Sequence, residues 1–162
     1  MVEIDHGFTT DMTYAVAGTF TGGLSSKSFR LLKSEWYCVR EVFPVCPDQT
    51  EVEGVQAYKS LAELPTVPDV VVVVHKKNIT TEVVREATSL DPKPAIWFMP
   101  ETDSPESIAL CEDNNIRFGK SCLMGHRRFT GVGRFFNMHY YHSKFAGMNR
   151  IPNQCPDQRI EE

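Results

Sequence analysis

The residues of this chain best suited to chemistry lie in Gly18-Thr19-Phe20-Thr21-Gly22-Gly23-Leu24-Ser25-Ser26-Lys27, directly after the apolar run Tyr14-Ala15-Val16-Ala17. Gly18 lets backbone approach an anion closely, and Ser25 or Ser26 can cap a helix whose first N–H groups and positive dipole end attract negative charge. Lys27 adds a point charge. The combination fits a phosphate-bearing, nucleotide-like small molecule. It is neither Gly-x-Gly-x-x-Gly nor Gly-x-x-x-x-Gly-Lys-Ser/Thr, so the ordinary dinucleotide fingerprint and the triphosphate cradle both fit poorly.

Other reactive types are scattered. His75-Lys76-Lys77 concentrates positive charge after an apolar run. Cys46 and Cys122 carry thiols that could form a mixed disulfide or sense redox state, although such a cysteine more often serves as a small buried hydrophobe. Cys122, His126, His139 and His142 could be zinc ligands, but Cys122 has no thiol partner nearby, and nothing orients His126 as a base for it. Neither a metal site nor a catalytic residue is expected.

The elements that must position these groups alternate. Residues 13–18 read as a short apolar strand and 26–34 as a helix with Phe29, Leu31 and Leu32 inward. Residues 39–46 read as a second strand ended by Pro47, 55–58 as a brief third, and 60–64 as a helical turn before Pro65 and Pro68. The run Val70-Val71-Val72-Val73-Val74 has no polar alternation, which marks a central parallel strand covered on both faces. Asn78, Thr80 or Thr81 can start the next helix, with Val83, Val84 and Ala87 on its apolar side, and Pro92 and Pro94 stop it. Residues 95–99 form another buried strand. Ser104 is the N-cap of a further helix with Pro105 at its first position, and 116–119 is the last strand. The expected fold is α/β, a Rossmann-like open parallel sheet with helices on both faces, plus a C-terminal basic aromatic arm. Such sheets bind ligands beyond the carboxyl ends of their strands, where strand order reverses.

The 162 residues suffice for one domain, divided into a lead (1–12), the α/β domain (13–125) and the arm (126–162). The formal charge of −4 argues against a protein that coats nucleic acid or an anionic membrane as a whole. The balance is uneven, since residues 126–150 hold five Lys or Arg and no acid. Basic charge interleaved with Phe and Tyr there suits RNA, but packing on the acidic domain, a second subunit or another protein is preferred. Five scattered cysteines, no apolar signal core and no apolar run near the roughly 20 residues of a membrane span point to a cytoplasmic, soluble protein.

In this order of segments the chain resembles the small CoA-binding domain proteins, related to the N-terminal domain of the succinyl-CoA synthetase α subunit. The likeness runs over about residues 13–125. It is carried by Val16-Ala17-Gly18-Thr19 with Ser26-Lys27, Val42-Phe43-Pro44-Val45-Cys46-Pro47, and Gly54-Val55-Gln56-Ala57-Tyr58-Lys59-Ser60-Leu61. It continues through Leu64-Pro65-Thr66-Val67-Pro68-Asp69-Val70-Val71, Pro94-Ala95-Ile96-Trp97 and Ser121-Cys122-Leu123-Met124. The resemblance implies CoA or acyl-CoA as ligand and no catalysis by this chain. It implies that Gly18, Thr19, Phe20, Ser26 and Lys27 lie along the pyrophosphate, and that Pro44, Val45, Cys46 and Pro47 wall the adenosine. His75, Lys76 and Lys77 would border the phosphate or pantetheine side, with Cys122 closing the site. Cys46 stands where the family has Asn, and His75-Lys76-Lys77 replaces an Arg-containing turn. The alternatives are a regulatory module for NAD or another adenine nucleotide, and an interaction or RNA-binding protein acting through the arm.

Overall fold

The computed structural model describes residues 12–21, 23–33, 39–120, 122–123, 132, 136 and 138. The elements are β1 (Thr13–Ala17), α1 (Leu24–Lys33), β2 (Glu41–Val45), β3 (Glu51–Val52), β4 (Val55–Gln56), a 3-10 turn (Leu61–Glu63), β5 (Val70–Val73), α2 (Lys77–Thr88), β6 (Ala95–Phe98), α3 (Pro105–Asp113) and β7 (Phe118–Lys120). Five strands form one sheet in the order β2-β1-β5-β6-β7, every pair parallel. The chain leaves β1 toward one edge for β2 and returns to the other side of β1 for β5. Strand order therefore reverses between β1 and β5, the arrangement that leaves a crevice at the carboxyl ends of those two strands.

The Rossmann-like sheet with helices on both faces follows from burial. Every residue of β1, β5 and β6 is buried, so these strands carry apolar side chains on both faces. On one face Tyr14, Val16, Val72 and Trp97 pack with Phe29 and Leu32 of α1. On the other, Ala15, Ala17, Val71, Ile96 and Phe98 pack with Val83, Val84 and Ala87 of α2 and with Cys111 of α3. At the amino edge the Asp69 carboxylate accepts from the Thr13 N–H at 2.7 Å while the Asp69 N–H donates to the Thr13 carbonyl, holding β1 and β5 in register.

Local starts differ from the sequence reading in two helices. α1 begins at Leu24, two residues before the expected 26, and neither serine caps it. Gly23, at φ +78°, supplies the carbonyl that accepts from the Lys27 N–H at 3.2 Å, and the Ser25 hydroxyl oxygen accepts instead from the Phe20 N–H. α2 begins at Lys77, before Asn78, Thr80 and Thr81, with Lys76 as an N-cap that makes no side-chain bond. Thr80 and Thr81 lie inside the helix, their hydroxyls donating to the carbonyls of Lys76 and Lys77. Ser104 caps α3 as expected, in a reciprocal box with Ser107 and with Pro105 first in the helix.

The expected third strand at 55–58 is one arm of the β3–β4 hairpin. Its turn, Glu53-Gly54, has both residues at positive φ, the geometry of a tight two-residue hairpin. Tyr58 then bridges Val45 alongside β2. The last strand starts at Phe118, not 116, because Ile116 still bonds back to the Cys111 carbonyl. Cys38, Cys155, His126, His139 and His142, the lead as far as residue 11, and the arm apart from exposed Val132, Phe136 and Met138 lie outside the described residues.

Candidate functional site

At the carboxyl edge of β1 the chain turns sharply on Gly18. The Gly18 N–H donates to the Val45 carbonyl at 3.1 Å, and an added Cβ would lie 2.5 Å from the Ser25 Cβ. The glycine is thus needed for the close approach of α1 to the sheet. Thr19 is exposed and its carbonyl accepts from the Cys46 thiol at 3.6 Å. Phe20 turns inward at φ +50°, its ring 5.9 Å from that of Phe29 in an edge-to-face contact. The Ser26 hydroxyl donates to the Phe20 carbonyl at 3.4 Å. The two serines thereby fix the loop, and Lys27 projects from the first turn of α1 as an exposed cation.

The other predicted residues fall around the same edge. Pro44 and Val45 end β2, Cys46 is fully buried beside Thr19, and Pro47 is exposed. The Tyr58 N–H donates to the Pro44 carbonyl, and the Cys46 N–H to that of Tyr58, so the wall after β2 is backed by Tyr58. His75 follows β5 and is 93% buried, while Lys76 and Lys77 are exposed at the start of α2. Burial lowers the pKa of the His75 imidazole, with the charge of Asp48 opposing that shift. Asp48 lies just beyond β2 in sequence, on the other side of β1 from β5. Cys122 is buried in the core layer of Phe20, Phe29 and Trp97, and the Cys111 thiol, pushed up to about 12 chiefly by burial, is inert in the opposite layer.

The sequence brings Met99-Pro100-Glu101-Thr102 to this same edge but gives Thr102 no role of its own. Its hydroxyl donates to the carbonyls of Met99 at 2.8 Å and Val73 at 3.3 Å, pinning the loop after β6 onto the end of β5. Lys120 pairs with Asp103 at 2.8 Å, holding that carboxyl below its usual range and tying the loop to β7. A Thr-containing loop after a buried strand was the available signal, but one Thr gives no sign of which carbonyl it will reach.

Electrostatically the crevice favours an anion. Neither α1 nor α2 has an acidic residue in its first turn, and neither start is closed by a side-chain cap among the described residues. Their leading N–H groups point beyond the strand ends, where Lys27, Lys76 and Lys77 also lie. α3 is different, with Glu106 in its first turn and its cap satisfied. No group of three or more His, Cys, Asp or Glu side chains able to hold a metal ion occurs among the described residues. No helix there is long and apolar enough to cross a membrane.

Fold and crevice together define a Rossmann-like α/β domain of the kind that binds nucleotide-like molecules at its switch point. The family described as CoA binding domain matches residues 12–127, and the chain belongs to that family. Similar solved structures include a conserved hypothetical protein from Pyrococcus furiosus, 27% identical, covering 67% of this chain and 92% of that one at a TM-score of 0.59. A hypothetical protein from Pyrococcus horikoshii OT3 is 23% identical and covers 72% and 82% at a TM-score of 0.64. A protein from Thermus thermophilus is 22% identical and covers 70% and 86% at a TM-score of 0.58. No curated protein sequence matches the chain.

Proposed function

We propose that this protein binds CoA or an acyl-CoA and acts as a non-catalytic binding module. The observation that carries the reading is the family match over 12–127, which spans both helix starts that flank the crevice. On this reading the backbone of Gly18 and Thr19, the first N–H groups of α1 and Lys27 receive the pyrophosphate. Phe20 and Ser26 act from beneath, shaping the loop. Pro44, Val45, Cys46 and Pro47 form the adenosine side, and Cys122 supports the floor. Cys46, buried with its thiol on the Thr19 carbonyl, fills space and joins two loops in this scheme, with no redox step assigned to it.

Thermal unfolding with a panel of ligands tests the reading. A ligand at 100 times its dissociation constant adds about 2.7 kcal/mol, so CoA should raise the midpoint while NAD and ATP at equal concentration should not. A shift with NAD or ATP but none with CoA would replace the coenzyme reading by the adenine-nucleotide alternative. Lys27→Gln, at an exposed side chain, should reduce the CoA shift without altering the midpoint of the unliganded protein.

A further inference from the structure

Four described residues other than glycine hold a positive φ, namely Phe20, Glu53, Glu101 and Asn115. That region is costly for a residue with a side chain, so each calls for a compensating contact. Three are accounted for. The Phe20 ring packs edge-to-face on Phe29 and its N–H donates to the Ser25 hydroxyl. The Glu53 carboxylate pairs with Arg30 at 2.9 Å, and its carbonyl accepts from the Lys33 ammonium. Asn115 is of a type that tolerates the left-handed region, and its N–H returns to the Glu112 carbonyl where α3 ends. Glu101, at φ +66°, is exposed, and its side chain has no hydrogen bond or ion pair among the described residues.

The turn that holds Glu101 is firmly fixed. The Thr102 N–H donates to the Met99 carbonyl at 3.1 Å, Pro100 is the second residue, and Glu101 takes the third position, where a type II turn favours glycine. The Met99 N–H and the Thr102 hydroxyl both bond to the Val73 carbonyl, which fastens the turn to the carboxyl end of β5. The nearby Asp103 carboxylate is paired with Lys120 at 2.8 Å and also feels the charge of Lys77. Glu101 is left as the uncompensated charge of this turn.

Strand order says what meets it. On the coenzyme reading the adenosine lies beside β2 and the diphosphate at β1. A ligand extended in that direction passes β5 and reaches the end of β6, two strands and about 10 Å beyond β1. The end that arrives there carries the thiol and any acyl group.

We propose that Glu101 is a specificity-determining residue for the acyl group: its carboxylate disfavours acyl chains that end in a carboxylate and leaves uncharged chains as the preferred class. The inference rests on the coenzyme reading. Two like charges brought together near a protein surface repel enough to shift affinity several-fold, and salt weakens the effect.

Calorimetric titration of the full-length protein with butyryl-CoA and succinyl-CoA tests it, since the two have equal carbon chains and differ at the terminus, methyl against carboxylate. At low ionic strength the wild type should bind butyryl-CoA roughly threefold to tenfold more tightly. The ratio should shrink in about 0.5 M salt, as a preference due only to apolar contact would not. Glu101→Gln should narrow it by raising succinyl-CoA affinity. Glu101→Gly should narrow it as well and should raise the thermal midpoint of the unliganded protein, because glycine takes this φ without strain. Equal wild-type affinities, a preference for succinyl-CoA, or a ratio that Glu101→Gln leaves unchanged overturns the role of Glu101 and leaves the coenzyme reading intact. A midpoint that fails to rise in Glu101→Gly removes the strain from which the role is inferred and overturns it too. Binding of neither thioester and of no CoA by the wild type overturns the coenzyme reading, and the role of Glu101 with it.

Discussion

A Cβ at position 18 would sit 2.5 Å from the Cβ of Ser25, inside any tolerable contact, so Gly18→Ala must push α1 away from the sheet. We expect a loss of about 1–3 kcal/mol, the usual cost of overpacking, seen as a lower urea midpoint. Ser25→Gly removes the obstructing atom, so the double variant should recover part of that loss and the two effects should not add. A larger residue at 18 is for the same reason a variant of the fold and no clean probe of ligand binding. The sequence pointed to Gly18 through its place between an apolar run and a serine pair expected to cap the next helix. It could not reveal the packing role, because that depends on how closely α1 settles on the sheet. His75 offers a second test at this scale. Its folded pKa lies below the usual 6.5 because the ring is buried. Below about pH 6.5 the unfolded chain then takes up more protons than the native one, so stability rises with pH through that window and falls on acidification. Urea melts of the unliganded protein between pH 7.5 and 5.5 should show this slope, and His75→Gln should flatten it.

Among elements, the contrast between α2 and α3 is the informative one. α3 announces itself in sequence, since Ser104 and Pro105 occupy the positions their chemistry demands and Ser107 completes the box. α2 does not, since its N-cap is Lys76, which contributes no side-chain bond. Thr80 and Thr81 look like starting residues, yet their hydroxyls bond to carbonyls one turn back within the helix. Stability is left unclaimed at this helix start. Lys76→Asp would supply a capping acceptor and a favourable charge at the dipole, and should stabilise the unliganded protein by about 0.5–1 kcal/mol. The same change should weaken binding of an anionic ligand, so calorimetric affinity and thermal midpoint should move in opposite directions. The β3–β4 hairpin was legible only in half. Its turn uses Glu53-Gly54 where Asn-Gly would have signalled it, with Glu53 at φ +51° and paired to Arg30 at 2.9 Å. Strands of two residues are also too short to show alternation.

For the molecule as a whole, the valine run of β5 and the order of strands and helices were enough to read the architecture, because a parallel sheet buried on both faces has few alternatives. The strand order followed less directly, since β5 pairs with β1 and not with β2, which precedes it. The two core layers are built on the same strands β1, β2, β5 and β6, so a defect in one should be felt in the other. Trp97→Ala, in the layer under α1, should cost about 3–5 kcal/mol. Far- and near-ultraviolet circular dichroism should still report one coincident unfolding transition. Phe20 joins this interior to the crevice, its ring against Phe29 and its backbone held left-handed at φ +50°. The loop above is in effect moored from below, and its shape is inherited from the core. Substitutions at Phe29, wholly out of a ligand's reach, would therefore be transmitted to the loop's outer surface, while a ligand that reshapes the loop would tug on the interior in return.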